Sequence, residues 1–133
     1  MKILNIIILS LIMAFTASAM EWHATRINTF FWSPVEKSDE TDVIIYLVYL
    51  KDFTTGTVTF YGETAEPSIV VTLDEGDQHV FYGVCTKRII EDGTIRRSSI
   101  SWSYDENVAK PPFGARLYNL PDQPKGLGVK TNQ

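Results

Sequence analysis

The chain has 133 residues, twelve Lys and Arg against sixteen Asp and Glu, and a formal net charge of −4. That length fits one domain with a modest core, and the acidic balance argues against general nucleic-acid binding, which needs cationic side chains to neutralise phosphates. Cys85 is the single cysteine, which excludes a disulfide within the chain and reads as a small buried hydrophobe.

The first nineteen residues, MKILNIIILSLIMAFTASA, place Lys2 before an apolar run from Ile3 to Phe15 and end in Ala17-Ser18-Ala19. This is the layout of a secretory leader with a small-residue cleavage site. The apolar run is shorter than the roughly 20 residues that span a bilayer as a helix. The expectation is cleavage after Ala19 and export to the medium, periplasm or cell surface, with no stable membrane insertion afterwards. Met20 to Gln133 then carries sixteen acids against eleven Lys and Arg.

Beyond the leader, short β-branched and aromatic runs alternate with turn clusters, the pattern of an all-β sandwich or barrel. Strands are expected over Ile27–Trp32, Val43–Lys51, Thr57–Tyr61, Ile69–Leu73, Gln78–Arg88 and Ile95–Ser103. VIIYLVYLK at Val43–Lys51 is apolar at both alternating sets of positions and reads as a central strand covered on both faces. From Tyr104 onward, prolines 111, 112, 121 and 124 and glycines 114, 126 and 128 argue against a continuous regular element.

Chemistry-bearing motifs are sparse. His23 and His79 are the only histidines, there is no Gly-x-Ser-x-Gly turn, and the Cys and His count is too small for a zinc site. No enzymatic activity and no cofactor are expected. Acids concentrate in three loops, VEKSDETD, GETAEP and EDGTI. A Ca²⁺ site there would draw on Asp39, Asp42 and Asp92, although no DxDxDG spacing focuses the ligands. Docking of a basic partner would use Glu40, Glu66 and Glu91, and simple solvation of the loops is the third reading.

INTFFWSP, with Trp32 and Pro34, YLVYL with Tyr46, Val48 and Leu50, and Leu73 followed by DEGD and VFYGVCT occur in the order and spacing of a fibronectin type III domain, which Ile27–Ser103 resembles. The resemblance implies an immunoglobulin-like β-sandwich of about seven strands in two antiparallel sheets over residues 20–103. His79 or Val80 falls where the family has its corner tyrosine. In that fold the three acidic loops share one end, and Tyr49, Tyr61 and Phe81 lie on one sheet, from which some point outward. Little chain precedes strand B, whereas Pro124–Val129, PKGLGV, has the form of a strand A. The C-terminal segment 104–133 is therefore expected to place residues 124–129 on strand B of its own chain or to be a free tail, with exchange between copies the less favoured arrangement. The implied role is an exported, non-catalytic binding or structural module of a bacterial or phage surface, envelope or virion, recognising a protein or a surface glycan. The alternatives are a carbohydrate-binding module using the outward aromatics and a small secreted inhibitor presenting an acidic loop.

Overall fold

The computed structural model describes residues 19–132, so the leader expected over residues 1–19 lies, apart from Ala19, outside the described residues. These residues form nine strands and no helix: β1 (Glu21–His23), β2 (Ile27–Phe31), β3 (Val43–Asp52), β4 (Val58–Thr64), β5 (Ser68–Thr72), β6 (Gln78–Ile89), β7 (Ile95–Arg97), β8 (Ser101–Trp102) and β9 (Phe113–Leu117).

The two long apolar runs form the spine. β3 and β6 pair antiparallel from Val43↔Ile89 to Asp52↔Val80, and β4 adds to the other side of β3. The far edge of β6 is shared in succession by β9 at Gln78–Val80, β8 at Gly83–Val84 and β7 at Lys87–Ile89. β1 joins this sheet by pairing parallel with β9. The second sheet consists of β2 and β5, antiparallel from Ile27↔Thr72 to Phe31↔Ser68.

Strand alternation sends every second side chain into the space between the sheets. Tyr46 and Val48 of β3, and Val80, Tyr82 and Val84 of β6, meet Phe30 of β2, Val71 of β5, Leu73 and Ala115 of β9 there. Tyr82 is 2% exposed, and its hydroxyl accepts a hydrogen bond from Asn28 Nδ2 at 3.1 Å. A ring buried with its polar tip satisfied contributes about 1.5–3 kcal/mol. The Tyr46 hydroxyl accepts the Val35 N–H at 2.8 Å, tying the loop after β2 to the core.

The architecture is all-β, as the alternation predicts, but the expectation of about seven strands in two antiparallel sheets requires correction. The larger sheet is mixed, because β1 runs parallel to β9, and it holds seven strands against two in the smaller. The strand expected over Ile95–Ser103 is divided into β7 and β8: Ser98 N–H still donates to Thr86 O, but Thr86 N–H turns to the Ser98 hydroxyl, and the register shifts by one residue between Lys87↔Arg97 and Val84↔Ser101. The proline-rich segment contains a strand after all. Pro111 and Pro112 precede β9 instead of interrupting it, so its N–H groups remain free to pair, and Phe113 N–H donates to Ser103 O at 2.9 Å.

Candidate functional site

The hydrogen-bond pattern of β2 defines the first candidate. Leu73 N–H donates to Arg26 O and Trp32 N–H to Pro67 O. With the register Ile27↔Thr72 through Phe31↔Ser68, these bonds fix Asn28 and Phe30 as the residues whose main-chain groups face β5. In an antiparallel ladder the alternate residues turn the other way, so the N–H and C=O of Ile27, Thr29 and Phe31 point to the opposite edge. Among the described residues β2 pairs only with β5, and that edge is unpaired.

The opposite side of the small sheet is closed by a single side chain. Tyr61 of β4 donates its hydroxyl to Val70 O at 3.2 Å and accepts the Thr72 N–H at 2.9 Å. One tyrosine thus bridges the two sheets and blocks the β5 edge, leaving β2 as the place where this sheet can grow.

Beneath the β2 edge the sandwich gapes. A cleft of about 820 Å³ runs between β2 and the rim formed by β1, β8 and the segment before β9, and its lining includes Phe30, Trp32, Tyr46, Tyr82, Val84 and Phe113. The walls are core aromatics: Phe30 packs on Tyr82 at 5.3 Å, on Trp32 at 5.2 Å and on Phe113 at 6.0 Å between ring centroids. Burial pushes the Tyr82 phenol up from its ordinary value, the Asn28 hydrogen bond opposing it, so the hydroxyl stays neutral at physiological pH. The indole Nε1–H of Trp32, buried in the wall, meets no acceptor among the described residues. The site therefore offers an apolar slot beside a row of main-chain donors and acceptors.

The outer face of the large sheet carries the second feature. Trp22 of β1, Phe53, His79 and Phe81 of β6, Tyr104 and Trp102 of β8 form a chain of ring contacts. The rings also meet cations: Arg116 stands over Trp22 at 5.4 Å, and Lys51 Nζ over Trp102 and Tyr104 at 5.4 and 5.1 Å. His79 is wedged in this layer, stacked on Phe53 at 3.9 Å with its Nε2 buried and unpartnered among the described residues. Burial, with Arg116 adding to it and Asp52 opposing it, pulls the imidazole below its ordinary 6.5.

The residues expected to bind a partner divide among these places. Phe81 sits half-buried within the aromatic layer. Tyr49 is half-buried against Phe60, 5.6 Å between centroids, and its phenol is pushed up first by burial and then by neighbouring Cys85. Tyr61 is not an outward platform, because its hydroxyl is committed to the β5 edge. Glu40, Glu66 and Glu91 are exposed, on loops that the registers Phe31↔Ser68, Tyr46↔Thr64 and Val43↔Ile89 bring to one end of the molecule.

The calcium candidates have other partners. Asp39 accepts the N–H and hydroxyl of Thr41, Asp92 accepts the N–H of Thr94, and buried Asp42 faces Arg88 Nε at 3.8 Å. Among the described residues no three His, Cys, Asp or Glu side chains gather as a metal site would require. Cys85 is buried, and desolvation raises its thiol above the ordinary range.

Sequence reasoning missed β1, β9, Trp22, Phe53 and the cleft. The spacing of Trp22 and Phe53 from the strands could have signalled only that large aromatics flank β2 and β3. No family model, no curated protein and no solved structure matches the chain.

Proposed function

We propose that this chain is an exported, non-catalytic binding module that engages a protein partner by accepting an extended segment along the unpaired edge of β2. The observation that carries the reading is the pairing of that edge with an aromatic-walled cleft directly beneath it. An added strand would gain main-chain hydrogen bonds at Ile27, Thr29 and Phe31, while alternate side chains of the strand dropped into the slot. Edges of this kind are aggregation liabilities unless something covers them, which favours a standing partner. The fibronectin type III resemblance of Ile27–Ser103 supports the same role: on that reading β2, β3, β4, β5 and β6 would answer to strands B, C, C′, E and F, and the family's strand A would lie beside β2. His79, clamped neutral between Trp22 and Phe53, is better suited to packing than to proton transfer.

The test compares affinity capture by the exported protein and by Thr29→Pro from the extracellular or envelope fraction of its source. The Thr29 N–H faces away from β5, so proline removes an edge donor without deleting a bond of the β2–β5 ladder. The expected result is a protein captured by the wild type and by Tyr49→Ala but lost with Thr29→Pro. Equal capture by wild type and Thr29→Pro, or loss confined to Tyr49→Ala, would transfer the role to another surface.

A further inference from the structure

The structure also contains an apolar segment with no place in the core. After β9, residues 118–132 form no strand, and Leu120, Leu127 and Val129 are 90%, 89% and 96% exposed. Leu127 and Val129 are spaced i, i+2, so in an extended chain both side chains lie on one face. The base of this arm is fixed. Asn119 N–H donates to Asp77 Oδ1 at 2.7 Å, and Asn119 Oδ1 accepts from Arg26 Nη2 at 2.9 Å. Arg26 also donates to Asp74 O and Gly76 O, so the arm departs from a clamp at the residue immediately before β2.

Resting on the reading of β2 as an acceptor edge, we propose that the occupant is the arm of a second copy of this chain, with Leu127 and Val129 seated in the cleft and their main chain paired to Ile27, Thr29 and Phe31. Charge favours this occupant. Residues 19–119 hold fifteen acids and nine Lys and Arg, a net −6, whereas residues 120–132 hold Asp122, Lys125 and Lys130, a net +1. The bodies repel each other, but each arm is attracted to the opposite body. Reach also suffices: ten residues from Asn119 to Val129 extend about 33 Å at strand rise. The arm's base is tied to Arg26, next to the acceptor edge at Ile27, and reciprocal exchange of arms about a two-fold axis closes on itself as a dimer. The bare edge on one copy and the bare apolar arm on the other are removed by the same contact.

The experiment uses the exported chain, its N-terminus read by mass spectrometry, in light scattering and hydrogen exchange over a concentration series. The expected result is a monomer–dimer equilibrium in which the Ile27, Thr29 and Phe31 amides gain protection as dimer forms. Thr29→Pro lacks an acceptor edge and Leu127→Asp/Val129→Asp lacks a donor arm, so each should self-associate about tenfold or more weakly. Mixing them should restore a one-sided heterodimer, because one supplies the arm and the other the edge. This complementation also guards against a variant that merely fails to fold. A wild type that stays monomeric at all concentrations overturns the proposal, as does undiminished dimerisation of either variant. Protection that is independent of concentration and lost in Leu127→Asp/Val129→Asp assigns the arm to its own edge and overturns it too. In each overturning case, capture of a different protein that still depends on Thr29 leaves the edge reading standing.

Discussion

Trp22 of β1 lies across Gly114 of β9: the two are register partners in the parallel pair, and a Cβ added at Gly114 would stand 2.7 Å from Trp22 Cζ3. The same arrangement recurs on the opposite side of the aromatic layer, where Trp102 of β8 covers its partner Gly83 of β6 and an added Cβ would meet Trp102 Cζ3 at 2.5 Å. Each glycine is a position where the missing side chain leaves room for an indole to lie flat on the sheet. Gly114 has the harder constraint, because the main-chain oxygen of Val80 also stands 2.7 Å from the added atom.

Gly114→Ala and Gly83→Ala should therefore each destabilise the protein by about 1–3 kcal/mol through overpacking. Gly128→Ala, where an added Cβ meets nothing within 4 Å, should leave stability unchanged. Urea denaturation of the three variants checks the contrast.

Tyr61→Phe removes the hydroxyl that satisfies Val70 O and Thr72 N–H without altering the ring. A loss of about 1 kcal/mol is expected, the ordinary net value of such a bond. Faster amide exchange at Thr72 should accompany it, which separates loss of the edge cap from general loosening.

His79 gives the fold a dependence on mild acid. Its folded value is lowered by burial and by Arg116, so between that value and the ordinary 6.5 the unfolded chain binds the proton that the folded one excludes. Stability is complete above 6.5 and falls as pH drops through the lowered folded value, and His79→Gln should flatten this slope. Asp39, Asp52 and Asp92 titrate in a separate, lower window. Hydrogen bonds from Thr41, Thr55 and Thr94 respectively lower their values below 3.8, so their contribution is present above 3.8 and lost below it. Denaturation midpoints measured across both windows distinguish the two sources.

The long strands were legible because β3 and β6 are runs whose β-branched and aromatic residues suit a pleated surface. Which set of β3 side chains faces the other sheet was not legible, because the run is apolar at both alternating sets of positions; the structure turns Tyr46 and Val48 inward. β9 was hidden by composition: Pro111, Pro112 and Gly114 read as breakers, yet the prolines stand before the strand and the glycine makes room for Trp22. β1 has only three residues, too few for alternation to register. Tyr61 shows the limit for side chains, since period-two reasoning gives the face of a residue but not the main-chain groups its hydroxyl will reach. The expected free position beside strand B comes from the fibronectin type III resemblance; no local run of residues encodes which edge stands unpaired, because the packing of the two sheets together settles it.

That β2 presents an open edge is tested most directly by residue-resolved hydrogen exchange of the dilute protein. Alternation is the expected result: the Asn28, Phe30 and Trp32 amides, bonded toward β5, exchange slowly, while those of Ile27, Thr29 and Phe31 exchange as solvent-facing amides do. Uniform protection along Ile27–Trp32 in a dilute monomer would contradict it, because the edge would then already be paired.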